Sequence, residues 1–309
     1  MNGFDKKNSG PHIRAKITTS GIMLAVIIAL MPATGFGIYN FGLNVLYLIL
    51  VTVAAAIMTE FLANIILKKP ATIGDYSALL TGLLLALSLP PGAPLWIGII
   101  GGIFAILIVK VLFGGLGQNI MNPALAARCF LFISYSSIMT NYATDTSSGI
   151  TSLDAINNGE HVRLLDMFIS SNGGSIGESS MAAIIFGAVL LIFLGVIDLK
   201  IPGAYLITFL LFIGIFSGST DPLYLMAHLT SGGVILGAFF MATDYTTRPI
   251  NISGQYIYGL ILGFLTALFK FSGAGFEAVA FAVIIGNLLV PLIEKWSFYP
   301  RRARTKQDM

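Results

Sequence analysis

A single cysteine, Cys129, stands in a chain of 309 residues. One thiol has no partner for an internal disulfide, and it cannot supply the roughly four protein ligands of an iron–sulfur cluster. Histidine is scarce too: His12, His161 and His228 are scattered, without the spacing of a metal site. Charge is the third shortage. Only 10% of residues are Asp, Glu, Lys or Arg, against about a quarter in a soluble domain, so the chain could not cover a water-facing surface. No nucleotide-binding fingerprint for NAD is present, and catalysis by this chain alone is not expected. The polar start "MNGFDKKNSGPHIRAKITTS" is not followed closely by a small-residue cleavage site, which argues against a cleaved signal peptide.

What is abundant is apolar length. The chain is 56% hydrophobic with a mean hydropathy of +0.88. Apolar segments run over 18–39, 44–67, 72–90, 95–113, 120–138, 179–197, 201–218, 222–243, 254–271 and 275–294. A helix needs about 20 residues to cross a bilayer core, and the ten-residue alternation of a β-barrel is missing. The expected fold is all-α, a polytopic membrane protein of ten transmembrane helices. Two segments are interrupted: 72–90 opens with "TIGDYSALLTG" and ends at Pro90-Pro91, and 222–243 contains "HLTSGG".

Basic residues orient the spans. With the N-terminus in the cytoplasm, Lys6, Lys7, Arg14, Lys16, Lys68, Lys69, Lys110, Lys200, Arg248, Lys295, Arg301, Arg302, Arg304 and Lys306 all fall inside. Arg163 and Lys270 fall outside, and Arg128 lies within a span. Both termini are therefore expected in the cytoplasm. The resulting organisation is a cytoplasmic segment 1–17, a membrane unit 18–138, an extracytoplasmic loop 139–178, a second membrane unit 179–294 and a basic cytoplasmic tail 295–309.

The two units resemble each other. "GIIGGIFAILIVKVLFGGLGQN" (98–119) and "GLILGFLTALFKFSGAGFE" (259–277) both run from Gly through an apolar stretch to one lysine, Lys110 or Lys270, and then to a Gly-rich turn. The interrupted segments precede them in each unit. Five spans per unit invert the second relative to the first, and inverted repeats with broken helices place binding sites at their interface, near mid-membrane. A secondary transporter, with Glu60 as coupling carboxylate and no flavin, fits this pattern, as does a scaffold that only holds redox partners together.

Carboxylates at membrane depth are costly and mark ion paths. Glu60, Asp75, Asp221, Asp244 and Glu277 are the acidic residues not plainly in loops or at ends; Glu60, Asp75 and Asp244 are the ion-pathway candidates. Arg128 stays charged and needs an acidic partner, carbonyls or an anionic ligand group. Asn119, Asn122 and Pro123 read as a helix start that could hold an ion or a carbonyl. "SNGGSIGESS" (171–180) reads as a helix cap through Ser179 or Ser180.

The exported loop holds "DTSSGITSLDAI" (145–156), a run of hydroxyls bracketed by Asp145 and Asp154. It is either a slack turn or a place where one hydroxyl is offered for chemistry.

"DYSALLTGLLLALSLPPGAP", "GGLGQNIMNPALAARCFLFIS", "GAFFMATDYTTRP" and "AVAFAVIIGNLLVPLIEKW" occur in this order and together cover nearly the whole chain. They resemble the RnfD family of Rnf ion-translocating electron transport complexes and, more distantly, the NqrB component of the sodium-pumping NADH:quinone reductase. The resemblance implies a subunit of a membrane complex that moves electrons between ferredoxin and NAD while translocating Na⁺ or H⁺. It implies FMN joined through its phosphate to a threonine hydroxyl, and it leaves a second, noncovalent flavin such as riboflavin as an open expectation. The attachment motif of the family reads approximately Asp-Gly-x-Ser/Thr-x-Ala-Thr. Asp145, Ser148, Gly149 and Thr151 fit it, with Thr146, Ile150 and Ser152 in place of the usual Gly, Ala and Pro. Thr151 is thus the expected attachment point. Gly149 adds backbone freedom, and Arg128, Gly173 and Gly174 could flank the flavin. A threonine hydroxyl is a poor nucleophile without a base, so a flavin transferase working outside the cytoplasm is an implied partner. The other implied partners are the A, B, C, E and G components of the Rnf complex and membrane lipid; nucleic acid is not expected. The expected location is the cytoplasmic membrane.

Overall fold

A computed structural model describes residues 18–69, 72–142, 153, 156, 164–169, 173–274 and 277–304. Among them every regular element is helical. The ten apolar segments appear in order: Thr19–Phe41, Leu43–Ile66, Ser77–Ser88, Leu95–Val111, Pro123–Ser134, Met181–Phe193, Lys200–Ser217, the pair Pro222–Thr230 and Val234–Met241, Ile252–Ala274, and Ala278–Arg304.

Five of these helices, the first, second, seventh, ninth and tenth, are long and apolar enough to cross a membrane, and the eighth adds a sixth span if its two parts, bent by 65°, are counted together. The others are shorter than their apolar stretches. Ser77–Ser88 and Pro123–Ser134 have 12 residues each, about 18 Å of helix against a hydrocarbon core of about 30 Å. Hydropathy marked these stretches correctly as apolar but cannot say where the helix stops. Non-helical backbone at depth is tolerated where protein covers it, and Leu89 and Ala93, just past the third helix, are buried.

The two halves pack alike. The fourth segment lies on the second, and the ninth on the seventh. Each contact is made by a pair of glycines four residues apart. A Cβ on Gly98 would sit 2.2 Å from Thr52 Oγ1, and one on Gly102 would sit 3.1 Å from Thr52 O. In the second half, a Cβ on Gly263 would sit 2.5 Å from Tyr205 O, and one on Gly259 would sit 2.7 Å from Ala204 Cβ. Lipid tails are as apolar as the helices, so close backbone approach through small residues drives this packing. Both gripping helices loosen into π turns, at Phe104–Val111 and Lys270–Ala274. One apolar core runs through both halves.

Candidate functional site

The lysines shared by the two halves reach the interrupted segments. Lys110, in the first π turn, bonds both oxygens of Glu60 at 2.9 and 3.0 Å and also donates to the Ser77 hydroxyl. Ser77 opens the third helix just after Tyr76, whose φ of 61° marks the interruption. Lys270, in the second π turn, donates to His228 O at 2.7 Å and Ser231 O at 2.8 Å, where the eighth segment breaks.

The ion-pathway candidates gather around the first of these. Glu60 Oε1 also accepts from Thr72 Oγ1 at 2.6 Å, and Thr72 Oγ1 accepts in turn from Asn64 Nδ2 at 2.9 Å. Asp75 accepts from Ser77 N–H at 2.8 Å and from its hydroxyl, so it touches the same serine as Lys110. Asp244 accepts from Thr246 N–H at 3.1 Å. With Ser77 and Lys110 it lines a cavity of about 300 Å³ between the halves. Asp221 has a local role instead: it caps Pro222–Thr230 through Leu223 N–H at 3.1 Å.

That cavity is mostly apolar, walled by Leu84, Leu191, Phe239 and Phe240, with Thr81, Asn119 and Asn122 as polar edges. Asn122 caps the fifth helix by accepting from Ala124 N–H at 3.0 Å, with Pro123 at the first helical position. Its amide nitrogen makes a 3.5 Å contact to Met241 O, and that of Asn119 donates to Met121 O and contacts Thr246 Oγ1, both at 3.3 Å. Backbone N–H groups hold the side-chain oxygens of both amides, Asn119 Oδ1 by Gly117 and Asn122 Oδ1 by Ala124 and Leu125.

Arg128 lies elsewhere, in the fifth helix. Its Nε and Nη2 meet Glu277 Oε2 and Oε1 at 2.8 and 3.0 Å, and it also donates to Ser88 O and to Tyr142. Side-chain exposures of 6% and 2% make this a buried bidentate pair. Of its flavin-flanking companions, Gly173 and Gly174 are buried, the latter with φ of 109°. Thr151, Asp145, Ser148 and Gly149 lie outside the described residues.

The stretch read as a cap does more than cap. Ser180 does accept from Ala183 N–H at 3.3 Å, but every residue of 173–180 is buried. Ile176 N–H donates to Leu89 O at 3.1 Å, beyond the third helix, and Glu178 accepts from Gly232 N–H at 2.9 Å, in the break of the eighth. The stretch is thus a wedge between the two interrupted segments. Glu178 was hidden in the sequence because a lone acid in a Gly/Ser-rich stretch reads as loop. Its signal was position, two residues ahead of Ser180, the cap of an apolar helix.

Long apolar helices, shorter ones between them and one bent pair, packed around a single core, define a polytopic helical membrane protein. The chain belongs to the NQR2, RnfD, RnfE family, whose model matches residues 6–302. It is 45% identical over 299 residues to the D component of the Na(+)-translocating ferredoxin:NAD(+) oxidoreductase complex of Acetobacterium woodii, covering 94% of this chain and 92% of the relative. It is 38% identical to the D component of the proton-translocating ferredoxin:NAD(+) oxidoreductase complex of Clostridium ljungdahlii, covering 94% and 93%. The D component of an ion-translocating oxidoreductase complex of Stutzerimonas stutzeri is also 38% identical, over 92% of this chain and 93% of the relative.

Proposed function

We propose that this chain is the membrane subunit of a redox-driven ion pump that passes electrons between ferredoxin and NAD and translocates Na⁺ or H⁺. The observation that carries the reading is the end-to-end similarity to proteins so named, 45% identical over 94% of this chain in one case. In this reading FMN is held by a phosphoester to Thr151 on the extracytoplasmic loop, joined there by a transferase outside the cytoplasm. The distribution of basic residues, which puts 139–178 outside and both termini inside, supports that sidedness. The chain works with the A, B, C, E and G components in the cytoplasmic membrane.

A second, noncovalent flavin belongs in the cavity between the halves. About 300 Å³ lies at the small end of ligand pockets. Apolar walls suit a flat aromatic ring, and Asn119 and Asn122 give the cavity a polar edge. A bound flavin supplies reversible electron acceptance, while the chain's own groups orient it and exclude water. Lys110, Asp244 and Arg248 are the charged residues lining the cavity.

The test uses the purified complex in sealed liposomes. Electron flow from reduced ferredoxin to NAD⁺ should drive ion uptake that an ionophore collapses. Electron flow with no uptake, at any Na⁺ concentration or pH, would overturn the reading.

A further inference from the structure

Glu178 is a third buried carboxylate, 4% exposed, and it is held differently from the other two. Glu60 is gripped at both oxygens by Lys110, and Glu277 by Arg128. Among the described residues, the hydrogen bonds to Glu178 come from neutral donors: the Ser175 hydroxyl to Oε1 and Gly232 N–H to Oε2 at 2.9 Å. Gly233 makes room for it. With φ of +66°, its missing Cβ would lie 3.2 Å from Glu178 Oε1. The charged groups facing it are Arg128 from the fifth helix and Lys270 from the ninth segment. Glu277 and Tyr142 lie beyond Arg128, and His228 lies beside Lys270. A void of about 20 Å³, lined by Ser88, Arg128, Ser175, Glu178 and Gly232 among others, adjoins the carboxylate. That is room for one water or one small cation.

A carboxylate paired with a cation resists protonation, because the proton discards the pair. A carboxylate held by N–H and O–H groups keeps those hydrogen bonds when it is neutralised, and gives up only its longer-range attraction to Lys270 and Arg128. As a neutral acid it still accepts from Gly232 and donates to the Ser175 oxygen. Its place makes the exchange matter. The wedge residues tie the extracytoplasmic loop to both interrupted segments, at Leu89 O and at Gly232 N–H. At the break in the eighth segment, Lys270 faces the carbonyl end of Pro222–Thr230 and Glu178 faces the amide end of Val234–Met241. Each charge opposes the partial charge of the helix end it meets.

We propose that Glu178 is a monovalent-cation exchange site, taking a proton or Na⁺, whose occupancy loosens the wedge from the break in the eighth segment. The proposal deepens the ion-pump reading and rests on it. Neutralising the carboxylate leaves Lys270 and Arg128 with one anion fewer beside them, which weakens the opposed charges that hold the break.

Glu178→Gln keeps the shape and one acceptor but cannot exchange. In the complete complex in liposomes, this variant should retain its flavins and pass electrons, yet take up at least fivefold fewer ions per electron. Its rate should also lose the pH dependence of the wild type at fixed Na⁺ if the cation is a proton, or the Na⁺ dependence at fixed pH if it is Na⁺. Glu178→Asp should restore part of the uptake. Wild-type uptake and unchanged pH and Na⁺ profiles in Glu178→Gln would overturn the proposal, while a wild type that takes up no ions sinks the broader reading. Should Glu178→Gln fail to assemble, infrared difference spectra of the wild type and Glu178→Asp across pH and Na⁺ decide. A buried carboxyl band that moves between the two proteins supports the site, and identical spectra overturn it.

Discussion

Arg128 and Glu277 are 149 residues apart in the chain and meet through two bonds of 2.8 and 3.0 Å. Replacing Glu277 with Leu leaves a guanidinium uncompensated in an apolar core, and replacing Arg128 with Met strands a carboxylate. Removing one partner of a buried pair costs about 3–5 kcal/mol. Set against a total stability of roughly 5–15 kcal/mol, either single variant should lose much of its folded yield. The double variant Arg128→Met/Glu277→Leu removes both charges and keeps the volume, so it should fall within about 2 kcal/mol of the parent, in either direction. Melting of the detergent-solubilised protein, followed by size exclusion, measures all three. A double variant as damaged as the sum of the singles would refute the pairing. The same protein separates the two roles open to Arg128. If the pair is structural only, the folded double variant keeps its flavins; if Arg128 also touches a flavin, it does not.

Gly187 packs against the first helix so closely that a Cβ would lie 2.0 Å from Ala29 O. Backbone cannot yield as a side chain can, so Gly187→Ala should destabilise by about 1–3 kcal/mol or more. Gly35→Ala, whose Cβ would meet open space, should change the melting temperature little. Lys110→Met strands Glu60 and should lower stability by roughly 3–5 kcal/mol, with Glu60→Leu in the same chain restoring most of it. Thr81→Trp fills the cavity between the halves. Acid extracts of that variant should lose noncovalent flavin while the covalently held flavin remains.

The segments were legible because an apolar run and its flanking charges depend on composition alone. The repeat was legible too: Gly98 and Gly259 begin matched stretches that end at Lys110 and Lys270, and the structure puts both lysines at interrupted segments. What escaped depends on distant partners. Nothing near Arg128 points to Glu277, and nothing near Glu60 points to Lys110, 50 residues on. Helix length escaped because Leu89 and Ala93 are as apolar as the helix before them, so hydropathy runs past the last turn. The π turns escaped because no residue type announces them. Among the candidate site residues, Asp75 and Asp244 were legible as acids in an apolar setting, but that Asp75 bonds Ser77 and that Asp244 shares a cavity with Ser77 and Lys110 are properties of the fold. Thr151 rests on the resemblance and on sidedness.

The intact mass of the chain, purified from cells that contain the flavin transferase, tests the central claim most directly. The wild type should carry the mass of one FMN less one water, and Thr151→Ala should show the bare polypeptide. A wild-type chain at its bare mass, or an adduct that survives Thr151→Ala, would contradict the account.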